Sequence, residues 1–152
     1  MDPIFKKLNV KNQSELLVLN APDSFRTHME AMKEFTSIRE KLTGIKSVQF
    51  ALAFVTKQTE IDQLIPKLAQ LLDGDGMIWF AYPKGSSKRY KCDFNRDTGW
   101  NSVGDQGFEP VRMVAIDEDW SALRFRRVEH IKVMTRGKKI TFSEEGKKRI
   151  TK

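Results

Sequence analysis

Cysteine is almost missing from this sequence: Cys92 is the only one in 152 residues, and histidine occurs only at His28 and His130. A single thiol forms no intramolecular disulfide, and one Cys with two His cannot assemble a multi-thiolate zinc site. Long apolar runs are also missing. The stretch from Phe50 to Val55 is far too short to span a bilayer, and the opening MDPIFKKLNV lacks the apolar region of a secretory signal. A nucleotide-binding Gly-x4-Gly-Lys-Ser/Thr spacing is absent too, since PKGSSKRYK does not place its glycine and lysine so that successive amides cradle phosphates. These absences lead us to expect a cytoplasmic protein with no membrane partner, no metal site and no nucleotide-hydrolysing loop.

What is present is the composition of one globular domain, with 39% hydrophobic and 31% charged residues, enough to bury a core. The formal charge of +7 is unevenly spread. Residues 130–152 hold eight Lys/Arg and two Glu, whereas residues 1–129 hold 19 Lys/Arg against 18 Asp/Glu. The basicity therefore belongs to the tail. We expect a single α/β domain over residues 1–129 and a solvated, flexible basic tail over residues 130–152. Such a tail would contact nucleic acid only weakly and in a salt-dependent way.

Periodicity supplies the elements. SELLVLNAPDSF reads as a buried strand, Glu15 to Asn20, stopped by turn residues; Asp23 or Ser24 then caps a helix to about Lys33. Phe35 to Arg39 is open between a weak strand and a continued helix. VQFALAFVT is a strand covered on both faces. Ile61, Leu64, Ile65, Leu68, Leu71 and Leu72 then fall at helical spacing, with Thr59 as N-cap, Gly74 or Gly76 as stop and a kink expected at Pro66. MIWFAYP is the next buried strand, and strand, helix, strand in this order predicts a right-handed parallel crossover. Val111 to Ile116 and Ala122 to Val128, separated by DEDWS, predict a closing antiparallel hairpin.

Ligands of a parallel α/β sheet bind beyond the carboxyl ends of its strands. With the strands ending near Asn20, Thr56, Lys84 and Asp117 parallel, the predicted ligand rim comprises Asn20, Asp23, Thr56, Lys84, Ser86, Ser87 and Asp117. Within it, Lys84, Lys88, Arg89 and Lys91 are candidates for gripping a small anion. A serine nucleophile at Ser86 or Ser87 would need Lys84 or Lys88 to be desolvated, which so charged a loop disfavours, and no catalytic residue is assigned. Asp93, Arg96 and Asp97 read as the capped start of a helix, and the acids of DEDWS as turn chemistry. Trp79, Phe50, Phe54 and Phe80 read as core, and Trp120 as packing over the sheet edge. Arg124 and Arg126 share one face of the last strand, as on a solvent-facing edge.

The phrases LNAPDSF, ALAFVT, LLDGDGMIWFAYPKGSS, DFNRDTGW and AIDEDWSALRFRR together resemble a family of small bacterial proteins, a domain-of-unknown-function group with a methyltransferase-like Rossmann architecture, over roughly residues 4–128. The wider similarity is to S-adenosylmethionine-dependent methyltransferases. It implies a truncated three-layer sandwich, mostly parallel with a C-terminal antiparallel hairpin. In that family the loop after the first strand is glycine-rich and an acidic residue after the second holds the ribose; here the loop is NAPDSF, without glycine, and the acid would be Glu40. The glycine-free loop disfavours S-adenosylmethionine, so the sequence points first to a non-catalytic module binding a small anionic ligand or a protein partner. A methyltransferase with an atypical cofactor loop is the alternative, and a nucleic-acid accessory protein acting through residues 130–152 is another.

Overall fold

In the computed structural model, described over residues 1–131, the elements alternate as the periodicity predicts. A short helix α1 (Pro3–Lys7) precedes β1 (Glu15–Leu19). Then come α2 (Arg26–Ala31), β2 (Ser37–Arg39), β3 (Val48–Phe54), α3 (Gln58–Leu71), β4 (Leu72–Pro83), α4 (Asn101–Asp105), β5 (Phe108–Ala115) and β6 (Trp120–Arg127). The stretch around Phe35 to Arg39 thus resolves as a three-residue strand. The basic tail falls almost wholly on residues 132–152, outside the described residues.

One sheet carries the strand order β2-β1-β3-β4-β6-β5. The first four are parallel neighbours, and β6 is antiparallel to both β4 and β5, so β5 runs in the same direction as β1 to β4. This is the Rossmann-like, mostly parallel sheet with a terminal antiparallel pair. Helices cover both faces, which is why Leu16–Leu19 of β1, Phe50–Phe54 of β3 and Met77–Pro83 of β4 are apolar at consecutive positions rather than alternating. Along β4, Ile78, Phe80 and Tyr82 enter the layer under α3 and α4, with Ile61, Ile65, Leu68 and Trp100. Met77, Trp79 and Ala81 enter the opposite layer, with Phe5, Phe25 and Met29. The four predicted core aromatics Trp79, Phe50, Phe54 and Phe80 are all buried.

Several helix ends differ from expectation. The N-cap of α3 is Lys57, not Thr59: Glu60 Oε1 turns back to accept from the amides of Thr56 at 2.8 Å and Lys57 at 3.0 Å. A glutamate three residues into a helix reaches its own N-terminus in this way. Neither Asp23 nor Ser24 makes a side-chain cap, because Asp23–Phe25 is a 3-10 turn that feeds α2 directly. Gly74 and Gly76 do not stop α3; the helix ends at Leu71 and Leu72 already belongs to β4. Asp93 and Asp97 do not cap α4, which begins at Asn101 without a side-chain cap. Asp93 Oδ1 instead accepts from the amide of Gln58, the first residue of α3, at 2.7 Å.

The arginines of β6 are the largest correction. β6 is interior, between β4 and β5, so its charges do not protect an edge. Arg126 makes a two-pronged bond to Asp75, at 2.8 and 2.6 Å. Arg127 reaches the carbonyls of Ala69 and Leu72, at 2.9 and 3.1 Å, and that of Gly74, where α3 gives way to β4. A cation suits the negative end of a helix. Arg124 is half-buried, and burial pulls its guanidinium below its ordinary pKa.

Among the described residues, no helix is long and apolar enough to cross a membrane.

Candidate functional site

The carboxyl ends of β1, β3, β4 and β5 open on one rim, because those four strands share a direction. Leaving β1, Asn20 turns the chain with φ of 59°, in the left-handed region where a side chain other than Asn or Gly is strained. The turn carries Ala21, Pro22, Asp23 and Ser24 along one wall of a cleft of about 400 Å³, with Thr56 and Glu60 from the β3 to α3 turn opposite. That volume lies within the roughly 300–1,000 Å³ of small-molecule sites. Phe25 does not fill the cleft. It is buried beneath the turn, its ring 4.9 Å from Phe54 and 5.4 Å from Phe5.

The remaining wall comes from residues distant in sequence. Trp120, almost fully buried rather than lying over an edge, packs edge-on to Phe54 at 5.1 Å and against Tyr90 at 4.9 Å. Its indole Nε1 is buried with no hydrogen-bond partner among the described residues. Such a donor is costly to leave unmade unless a water or ligand takes it. Arg89 lies 5.6 Å from the Tyr90 ring and completes the cleft.

A second cavity of about 630 Å³ adjoins it beyond Tyr90, which lines both. It is bounded by the end of β4, the loop from Lys84 to Arg96, Met113 of β5 and Ser121 of β6. Burial pushes the Tyr82 phenol above its ordinary pKa, and nearby Arg96 pulls it back in part. Burial likewise raises the Cys92 thiol; a backbone hydrogen bond at Phe94 lowers it, and the charges of Asp93 and Glu60 add to the rise. A thiol so shifted stays protonated at neutral pH and is a poor nucleophile.

The rim residues predicted from sequence therefore divide. Asn20, Asp23 and Thr56 meet in the first cleft, and Arg89 joins them. Lys84, Ser87 and Lys91 line the second. Ser86 and Lys88 are exposed and line neither cavity. Asp117 spends Oδ1 on the amides of Asp119 and Trp120, both at 2.8 Å, closing the hairpin turn. Ser87 is bonded to Asp119 rather than to a lysine, so the serine-lysine arrangement does not form. Sequence reasoning missed Glu60, Tyr90, Arg96 and Met113. For Glu60 a signal existed, a carboxylate three residues after the helix start; for the others only the folded loop reveals the approach.

No family model and no curated protein matches the sequence. Solved structures do. An S-adenosylmethionine-dependent methyltransferase from Aquifex aeolicus superposes with a TM-score of 0.55 at 8% identity, over 82% of this chain and 88% of that one. The chain has a methyltransferase-like fold. Magnesium protoporphyrin IX methyltransferase (ChlM) from Synechocystis, solved with bound S-adenosylmethionine, gives 0.51 at 11% identity, over 82% of this chain and 74% of that one. The pyocyanin biosynthetic protein PhzM gives 0.57 at 12% identity over 82% of this chain but 53% of its own, so this chain spans about half its length.

Proposed function

We propose that this methyltransferase-like chain binds S-adenosylmethionine in the cleft beyond β1 and β3 and acts as a methyltransferase. The observation that carries the reading is Asn20. Its left-handed φ of 59° supplies, without glycine, the turn that keeps NAPDSF out of the cleft and leaves the space open. Size and charge also fit: the carboxylates of Asp23 and Glu60 line the cleft and favour a cationic sulfonium ligand. When bound, the cofactor supplies an electrophilic methyl group. The chain's part is to hold it: Asn20 and Pro22 shape the turn, Glu60 rigidifies the β3 to α3 turn through three accepted bonds, and Trp120 with Tyr90 excludes water. Glu40 is not among the holding residues; it is paired with Arg26 at 2.7 Å and lies outside the cleft lining.

A second reading, binding without transfer, draws on the occupation of the rim acids. Glu60, Asp117 and Asp119 all spend oxygens on local hydrogen bonds, so none of these three stands clear as a general base, and of the acids lining the cleft only Asp23 would be left to serve.

Thermal shift separates these from no binding at all. Either S-adenosylmethionine or S-adenosylhomocysteine at a hundred times its dissociation constant stabilises a true binder by about 2.7 kcal/mol. Ala21→Trp, which fills the cleft, is expected to remove the shift. Absence of any shift with both ligands at millimolar concentration would defeat the proposal. Stabilisation without transfer of a labelled methyl group to any of a panel of acceptors would select the second reading.

A further inference from the structure

The second cavity has no part in holding S-adenosylmethionine, yet the charges described around it are of one sign. Three cations, Lys84, Lys91 and Arg96, stand around it, and among the described residues no carboxylate lines it. The acids nearest in sequence are directed elsewhere or weakly engaged. Asp93 points to the N-terminus of α3, Asp119 is held by Ser87, and Asp97 meets Arg96 only at 3.6 Å with both side chains well exposed. An exposed ion pair of that kind contributes little and leaves the guanidinium free to bind a better partner.

The same cavity has apolar lining. Tyr82 and Phe94 are buried with rings 5.8 Å apart, and Met113 presents its side chain 48% exposed beside them. Met113 is one of only three large hydrophobic residues so exposed among the described residues, and it sits at this cavity rather than on open surface. The cationic loop is also anchored. Lys84 N donates to the carbonyl of Asp119 at 2.8 Å, Ser87 Oγ to its carboxylate at 2.8 Å, and Tyr90 N to Ser87 Oγ at 3.2 Å. Anchoring lowers the ordering cost of bringing charges to a ligand.

We infer that this cavity binds a small organic anion, a carboxylate or phosphate ester with an apolar or aromatic body, its charge at Lys84, Lys91 and Arg96 and its body against Tyr82, Phe94 and Met113. Its volume of about 630 Å³ suits a ligand of that class. The site stands on its own geometry. Where the proposed function also holds, the shared Tyr90 makes this anion the class of methyl acceptor, and that clause alone rests on the earlier reading.

The test is an amide-resonance titration of the isotope-labelled full chain with benzoate and phenyl phosphate, against benzyl alcohol and inorganic phosphate as half-ligands. The expected result is saturable movement of amides between Tyr82 and Arg96 and at Ser121 with at least one aromatic anion. Both half-ligands should bind about fivefold weaker or worse, equivalent to roughly 1 kcal/mol. The exposed-residue double variant K91Q/R96Q should weaken the aromatic anions by at least a similar factor, with R96K intermediate. No saturable movement with either anion at millimolar concentration overturns the inference. So does equal binding of benzyl alcohol, or movement confined to Asn20 to Ser24. Should the double variant fold poorly, the charged-against-neutral comparison on the unaltered chain decides alone. S-adenosylmethionine binding is read in the same spectra at Asn20 to Ser24, so failure of one site is distinguishable from failure of the other.

Discussion

Ser87 donates its hydroxyl to Oδ1 of Asp119 across 2.8 Å, although 32 residues separate them in the chain. With the Lys84 amide on the Asp119 carbonyl, this fastens the basic loop to the β5 to β6 hairpin. Hydrogen bonds to a charged acceptor contribute about 1.5–3 kcal/mol. Ser87→Ala is therefore expected to lower unfolding stability by about 1–2 kcal/mol in denaturant titration, and to speed hydrogen exchange in residues 84–92. An unchanged exchange rate there would show that the loop is held by other contacts.

Asn20 separates backbone strain from side-chain chemistry. A non-glycine residue in the left-handed region costs roughly 1–2 kcal/mol unless, like Asn, it tolerates that conformation. Asn20→Ala should destabilise by about 1 kcal/mol, whereas Asn20→Gly should fall within about 0.5 kcal/mol of the parent. Equal losses in both would mean that the amide group, not the turn, is what matters.

Asp75 gives an acid-side prediction. Its hydrogen bond to Arg126 holds the carboxyl below the ordinary carboxylate pKa, so the unfolded chain binds a proton at a higher pH than the folded one. The stabilisation is thus complete above the unfolded value and is lost as pH falls through the folded value, over a window below about pH 4. Both side chains are more than a third exposed, at 34% and 40%, which limits the contribution to under about 1 kcal/mol. Asp75→Asn should flatten that limb of the stability profile and leave stability near pH 7 lowered by no more than this amount.

Arg127 is the stronger staple. It serves three main-chain carbonyls where α3 meets β4 and lies 5.5 Å from the Phe108 ring. Arg127→Ala should cost about 2 kcal/mol, and Arg127→Lys should recover less than half, because a single ammonium cannot address the three acceptors as a planar fork does. Chemical denaturation of the two variants side by side measures this.

The parts legible in sequence are those governed by local periodicity. β3 and β4 announce themselves because both faces are buried, and α3 because Ile61, Ile65 and Leu68 make a stripe. The candidate cleft was half legible for the same reason: Asn20, Asp23 and Thr56 sit just past readable strands, and strand direction brings them together. What stayed hidden depends on long-range partners. Asp93 resembles a cap for the helix that follows it, but the free amide it satisfies belongs to Gln58, 35 residues earlier. The β6 arginines resemble edge charges because nothing nearby in the chain names Asp75, 51 residues away, as the partner of Arg126.

The handover from α3 to β4 occurs between Leu71 and Leu72, with no connecting residue. One inserted residue there would rotate the helix by about 100° relative to its contacts, or carry the start of the strand onto the opposite face of the sheet. The room to absorb either error lies just beyond, where β4 takes five steps from Leu72 to Met77 while β3 takes two from Val48 to Phe50, so the exposed residues 73–75 bulge out of register. The rim loops at the other end of the same strand face solvent and carry no such arithmetic. Descendants of this chain can therefore be expected to lengthen and shorten around Gly85 to Asp97 while keeping the spacings from Ile61 to Leu72 and from Met77 to Tyr82 frozen, so that change of ligand is inherited at one end of β4 and constancy of frame in its paired body.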